Sequence, residues 1–203
     1  MNKKILVRGP AMSLSGYGEQ CRFALRSLRA HTEHFDIYLA NTGWGNTGFI
    51  IENDEERKWI DDTLKKTIEY TQSGGTFDMS LQVTIPNEWE QIAPVNIGYT
   101  AGIETTKVSP QWLEKAAIMD RIIVVSNHAK EVYENTTYDA RHPQTNAPLT
   151  LQCKTPIDVV NYPVMPHDPV EMPLELEHEF NFLTIAQWGP RKNLDNTIRW
   201  FVE

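Results

Sequence analysis

Three short loops carry the residue types that bind or activate a polar substrate. The first, residues 13–19, reads Ser-Leu-Ser-Gly-Tyr-Gly-Glu and includes Gly16, Tyr17 and Gly18. A glycine-bearing loop at a helix N-terminus presents backbone N–H groups beside the positive end of the helix dipole, which suits a phosphate. The loop lacks the GxGxxG fingerprint and the GK[ST] ending of nucleotide-binding loops. Its plainer interpretation is a tight strand-to-helix turn in which Ser15 caps the helix.

The second loop, residues 98–107, reads Gly-Tyr-Thr-Ala-Gly-Ile-Glu-Thr-Thr-Lys and follows the fourth predicted strand. Ligands of open α/β sheets bind outside the carboxyl ends of the strands. Glu104 is therefore a candidate acid/base or hydroxyl-binding residue. The alternative is that Glu104 is a solvated loop acid with Lys107 as its neighbour.

The third loop, residues 187–193, reads Gln-Trp-Gly-Pro-Arg-Lys-Asn and again lies between a predicted strand and a predicted helix. Arg191 and Lys192 would neutralise a diphosphate there, the arginine through a bidentate fork and the lysine as a point charge. The alternative is that both are exposed loop charges.

The elements that must position these loops follow from the hydrophobic pattern. Short β-branched runs alternate with longer amphipathic stretches, which predicts an α/β fold: a Rossmann-like parallel sheet with helices on both faces. The predicted strands are residues 5–7, 35–40, 77–85, 95–99, 121–125 and 157–160. The predicted helices are residues 17–30, 53–70, 110–119 and 126–133. Weaker periodicity over residues 138–153 predicts a hairpin.

The pattern changes after this domain. Residues 1–163 form the predicted N-terminal domain, and the proline-rich, aperiodic residues 164–178 are typical of a linker. A buried strand is expected over 182–186 and an amphipathic helix over 194–202, so residues 179–203 would begin a second, incomplete domain. One strand and one helix cannot bury their own apolar faces.

Composition narrows the classes of protein. The 203 residues carry 19 basic and 27 acidic side chains, a net charge of −8, which argues against nucleic acid as a partner. The N-terminal apolar run ends at Arg8, too short for a signal peptide or a membrane span, so a cytoplasmic location is expected. Cys21 and Cys153 are interpreted as reduced thiols. The histidines lack metal-ligand spacing, so no metal site is predicted.

Together the three loops resemble the retaining glycosyltransferases of family 4, the glycogen-synthase-like group with the GT-B fold. The resemblance runs over most of the chain and is most specific in residues 98–107, 112–130 and 182–194. Residues 120–130 read Asp-Arg-Ile-Ile-Val-Val-Ser-Asn-His-Ala-Lys. This stretch is similar to the family's D-x-I-I-V-x-S-x-x-x-K strand-to-helix signature.

The resemblance implies an N-terminal Rossmann-like domain that binds the acceptor and a C-terminal domain that binds the nucleotide sugar. Gly16 and Gly18 would then form the glycine loop that approaches the donor phosphates across the cleft, with Tyr17 between them. Thr100 stands near the place where many members carry a histidine, and it is named with Glu104 as a catalytic candidate.

In the second domain, Lys192 matches the diphosphate-binding lysine of the family's G-R-x-x-x-x-K pattern. Gln187 stands where that pattern has its arginine, and Arg191 would substitute from four residues later. The family's paired-glutamate E-x7-E motif would lie beyond Glu203, so the chain is expected to be truncated and to lack most donor contacts.

The resemblance thus implies transfer of a sugar from a nucleoside diphosphate sugar to a carbohydrate or glycan acceptor, with retention of configuration. Catalysis would rest on positioning and on neutralising the departing diphosphate, with no cofactor or metal. The 203 residues alone would be inactive. The alternative is a non-catalytic α/β module that binds a carbohydrate or a partner. A nicotinamide-dependent oxidoreductase is disfavoured by the missing fingerprint.

Overall fold

A computed structural model describes residues 2–141, 144–186 and 188–203. Within them, six strands form one parallel sheet in the spatial order β2-β1-β3-β4-β5-β8. These strands are β1 (Lys3–Gly9), β2 (Phe35–Asn41), β3 (Met79–Val83), β4 (Val95–Thr100), β5 (Arg121–Val124) and β8 (Ile157–Val159). The predicted hairpin is the antiparallel pair β6 (Thr137–Arg141) and β7 (Pro148–Gln152).

The helices follow the predicted pattern closely. They are α1 (Gly16–Arg29), α2 (Glu55–Gln72), α3 (Pro110–Ala116), α4 (Asn127–Asn135) and α5 (Leu194–Val202). Ser126 caps α4 as predicted, since its hydroxyl accepts a hydrogen bond from Ala129 N at 3.1 Å. None of the described helices combines the length and apolarity that crossing a lipid bilayer requires.

Two hydrophobic clusters lie on opposite faces of the sheet. Successive side chains of a strand point to opposite faces, and in β5 Ile123 packs against one cluster while Ile122 and Val124 belong to the other. The first cluster joins α1 to β1, β2 and β3 through Val7, Leu25 and other buried side chains. The second joins α3 and α4 to the sheet. Helices on both faces are therefore confirmed.

Trp89 anchors the second cluster and is fully buried. Its ring fills the space above Gly98 in β4, where an added Cβ atom would lie 2.5 Å from the indole. Glycine is required at residue 98 because the tryptophan occupies the volume of any side chain there.

Helix α2 covers the outer edge of the sheet. The Thr67 hydroxyl accepts a hydrogen bond from the outward-facing Leu39 N at 2.8 Å, and Lys66 Nζ donates to Ile37 O at 3.0 Å. Because β2 is an edge strand, these side chains satisfy backbone groups that would otherwise be open to pairing with another chain.

The strand order reverses beside β1, which places the candidate site. The chain passes from β1 to β2 on one side and then to β3 on the other. The carboxyl ends of β1 and β3 therefore flank a topological switch point, the place where open α/β sheets bind ligands. The first glycine loop begins at the end of β1.

The chain divides into two compact units, residues 1–164 and 165–203. In the second unit α5 forms as predicted, but the strand predicted over 182–186 is wrong. These residues are irregular, and Phe182 and Ile185 are 69% and 87% exposed. A strand needs a neighbour for its backbone N–H and C=O groups. Nothing in the described part of residues 165–203 supplies one, so the run stays irregular, with the Phe182 ring 4.8 Å from that of Phe201.

Candidate active site at the carboxyl edge of the sheet

The glycine loop is a capped helix N-terminus with two open amide groups. The Ser15 hydroxyl accepts a hydrogen bond from Gly18 N at 3.0 Å, so the predicted cap is present. Among the described residues, the amide groups of Gly16 and Tyr17 donate no hydrogen bond to the protein. Gly16 is exposed, with open space where its side chain would stand. The positive end of the 14-residue helix α1 is thus accessible to an anion.

A buried arginine fixes the shape of this loop. Arg22 Nη1 donates to the carbonyl oxygens of Ala11 and Ser13, at 2.8 and 2.9 Å, while Nη2 donates to Glu19 Oε2 at 2.6 Å. Gly18 packs directly on Ser13, and a Cβ atom there would lie 2.0 Å from the Ser13 carbonyl oxygen. The two open amides therefore sit on a rigid support.

Tyr17 connects the glycine loop to the end of β4. Its hydroxyl lies 2.8 Å from Thr100 Oγ1, within hydrogen-bond distance, and accepts a hydrogen bond from Ala101 N at 3.2 Å. Thr100 is fully buried. Its hydroxyl therefore positions Tyr17 in this structure, while the catalytic role expected for Thr100 stays a prediction.

Two acidic side chains act electrostatically on the Tyr17 hydroxyl. Burial raises the pKa of Tyr17, the hydrogen bonds with Thr100 and Ala101 oppose that shift, and the negative charges of Glu88 and Glu104 add to it. The phenol therefore stays neutral at physiological pH. Glu104 is exposed in the loop after β4, close to the position expected for it, and its role in hydroxyl binding stays a prediction.

The sequence patterns did not identify Glu88 as a candidate site residue. It ends the short 3₁₀ turn Pro86–Glu88 after β3 and is half-buried, and its backbone carbonyl accepts a hydrogen bond from Arg8 Nη1 at 2.6 Å. It follows a predicted strand as closely as Glu104 does. The carboxyl-end rule applied to every strand would have found it.

Trp44 also reaches the site without having been singled out. Its ring packs on Tyr17 with 4.4 Å between centroids and 35° between planes. Trp44 lies in the loop of residues 42–50, which contacts the glycine loop through the Thr47 hydroxyl, 2.6 Å from Ser13 Oγ. The same hydroxyl donates a hydrogen bond to Trp44 O at 2.8 Å. Trp44 comes just after the second predicted strand, and this position at a strand's carboxyl end could have marked it as a candidate site residue.

The third loop belongs to the unit of residues 165–203. Arg191 and Lys192 are exposed in the turn before α5, where Lys192 N donates to Gly189 O at 3.0 Å. Gln187 lies outside the described residues. Diphosphate binding by Arg191, Lys192 and Gln187 stays a prediction.

A double-mutant cycle tests the link between Tyr17 and Thr100. We expect Tyr17→Phe and Thr100→Val each to lower the free energy of unfolding by about 1 kcal/mol, because each removes one partner of a shielded hydrogen bond. The double variant should lose less than the sum, with a coupling of about 1 kcal/mol by urea denaturation. Tyr70→Phe is the control, since the Tyr70 hydroxyl bonds Thr76 O at an exposed position. Strictly additive losses would contradict the link.

The fold and the site define a doubly wound α/β protein whose candidate ligand-binding residues gather at the carboxyl ends of β1, β2, β3 and β4. Comparisons of the chain with protein-family models, with curated proteins and with solved structures found no match. A functional interpretation therefore depends on the chemistry of this edge.

Proposed function

We propose that the chain is part of a retaining glycosyltransferase resembling family 4, comprising the acceptor-side domain and the beginning of the donor-side domain. It would transfer a sugar from a nucleoside diphosphate sugar to a carbohydrate or glycan acceptor. The observation that carries the proposal is the pair of open amides, Gly16 N and Tyr17 N, at a helix N-terminus beside the topological switch point.

In the proposed reaction, the carboxyl edge of the sheet would stabilise the negative charge of the leaving diphosphate. Preorganised N–H donors and a helix dipole stabilise charge that develops on the leaving group without reorganising during the reaction. Gly16 leaves the backbone bare, so phosphate oxygens can approach it closely. Arg191 and Lys192, in the unit of residues 165–203, are the two cations that the family resemblance assigns to the diphosphate.

The acceptor would lie at the carboxyl edge of the sheet beside Tyr17, and Glu88 and Glu104 are the candidate acceptors for its sugar hydroxyls. Positioning of the acceptor and charge neutralisation of the donor would then supply most of the catalysis. The proposal requires no metal, because amide groups and cationic side chains carry the compensating charge.

Nucleotide release tests the proposal. The 203 residues should release no UDP or GDP from a panel of nucleotide sugars, because most donor contacts would lie outside them. The DNA downstream of Glu203 should encode a further α/β domain with two glutamates eight positions apart. A protein that includes that domain should release nucleotide when an acceptor is present. Turnover by the 203 residues alone, or no turnover by the longer protein with any donor, would contradict the proposal.

Gly16→Asp sharpens this test in the longer protein. An acidic residue in the first turn of α1 interacts favourably with the helix dipole, so the fold should not be weakened. The same charge repels the donor phosphates, and we expect transfer to fall by about tenfold or more, roughly 1.4 kcal/mol. Gly16→Asn is the matched neutral control and should retain more activity. Equal activity of the two variants would argue against phosphate at this position.

A second candidate function is the non-catalytic carbohydrate-binding module. The half-buried Trp44, stacked on Tyr17 at 4.4 Å, favours it because such a surface needs no donor domain to bind a sugar. Saccharide binding with no nucleotide release by the longer protein would select this function.

A further inference from the structure

Trp44 lies outside the hydrophobic core. The chain has six tryptophans, and of those in the described part of residues 1–164, Trp59, Trp89 and Trp112 pack in or against one of the two hydrophobic clusters. Trp44 joins neither cluster and is half-buried. Its ring contact is with Tyr17. Core packing therefore does not account for the indole at this position.

The indole is nevertheless held in a fixed place. Gly45 adopts a φ of +51°, which turns the chain immediately after the tryptophan. Thr47 then bonds both the Trp44 carbonyl and the Ser13 hydroxyl. An aromatic ring that is ordered before binding loses little conformational entropy when a ligand packs on it.

The surroundings select the chemistry of that ligand. The face of an aromatic ring carries partial negative charge and attracts polarised C–H groups, which a pyranose presents on one face of its ring. Glu88 and Glu104 follow β3 and β4, and their negative charges act on the Tyr17 hydroxyl. The same carboxylates disfavour an anionic sugar.

We propose that Trp44, backed by Tyr17, is the stacking platform for a neutral pyranose ring. That this pyranose belongs to the acceptor rests on the proposed function, but the contact with a saccharide does not depend on a donor. The proposal thus specifies the class of acceptor: a neutral sugar or glycan.

The test observes the tryptophans directly in the 203-residue chain. Each of the six indole N–H groups gives its own peak in a ¹H–¹⁵N spectrum, and Trp44→Phe identifies that of Trp44. Titration with the methyl glycosides of glucose, galactose, mannose and N-acetylglucosamine should shift the Trp44 peak and leave that of the buried Trp89 in place. The titration itself uses the unaltered protein, and the Trp44→Phe variant serves only to assign the peak.

Affinity supplies the second measurement. Trp44→Ala should weaken binding of the best glycoside at least about fivefold, and Trp44→Phe should weaken it less, because a smaller ring remains. Trp200→Ala removes an exposed indole from α5 and should change nothing. Thermal unfolding of each variant, followed by circular dichroism, separates lost binding from lost folding.

The outcomes distinguish this inference from the proposed function. A Trp44 peak that no glycoside shifts overturns the platform. UDP or GDP shifting that peak while the glycosides do not also overturns it and assigns the ring to a nucleobase. Glycoside binding that depends on Trp44 supports the platform even if the longer protein releases no nucleotide, a result that would overturn only the transferase.

Discussion

Replacing Gly18 with alanine should lower the free energy of unfolding by about 3 kcal/mol. The added Cβ atom would lie 2.0 Å from the Ser13 carbonyl oxygen and 3.1 Å from that of Pro10. Neither neighbour is the end of a flexible side chain, and Arg22 also holds the Ser13 oxygen in place by a 2.9 Å hydrogen bond. The loop must therefore shift as a whole. Urea denaturation of the variant measures the loss.

Gly16→Ala is the matched control two residues earlier in the same helix. No atom lies within 4 Å of the Cβ position there. Alanine forms helix better than glycine, so this variant should be unchanged or gain up to roughly 0.5 kcal/mol. If the two variants changed the free energy of unfolding equally, the contact with Ser13 would not account for the effect at residue 18.

The sheet could be predicted from the sequence because each buried strand is a short β-branched run bounded by turn residues. The order of its strands could not, since Ile5–Val7 and Ile122–Val124 look alike as patterns and only packing decides which neighbours pair. The position of α2 was equally hidden. Its hydrogen bonds to the edge strand come from Thr67 and Lys66, polar residues that a hydrophobic pattern ignores.

The error over residues 182–186 has the same origin. Phe-Leu-Thr-Ile-Ala has the composition of a buried strand, but periodicity cannot report whether a partner strand exists. In the structure Leu183 and Ile185 are 84% and 87% exposed. Composition therefore predicted the apolar character of this run but not its exposure.

The candidate site was predictable where it depends on chain position and hidden where it depends on contacts. The glycine loop and Glu104 follow from the rule that α/β sheets bind ligands at the carboxyl ends of strands. The hydrogen bond between Tyr17 and Thr100 joins residues 83 apart in the sequence, and no spacing rule predicts such a pair. Trp44 was within reach of the same rule but resembles an ordinary loop anchor until its contact with Tyr17 is seen.

Removing the guanidinium of Arg22 should lower the free energy of unfolding about as much as adding a methyl group at Gly18. At Arg22 the cause is the loss of hydrogen-bond donors, whereas at Gly18 it is a steric clash. Arg22 is 6% exposed and satisfies two carbonyl oxygens, those of the buried residues Ala11 and Ser13. In Arg22→Met the apolar part of the side chain remains but both oxygens lose their donor, which should lower the free energy of unfolding by about 3 kcal/mol. Urea denaturation again provides the measurement.

Two controls isolate the cause. Arg22→Lys keeps the charge but lacks the fork that bonds both carbonyls and Glu19 together, so it should recover only part of the loss. Arg29→Met removes an exposed arginine of α1 that lies over the Trp59 ring, and it should cost less than about 1 kcal/mol. If Arg22→Lys were as stable as the unaltered protein, charge alone would hold the loop. Because the open amides of Gly16 and Tyr17 sit on this support, loosening the loop should also weaken the phosphate binding that we propose for it.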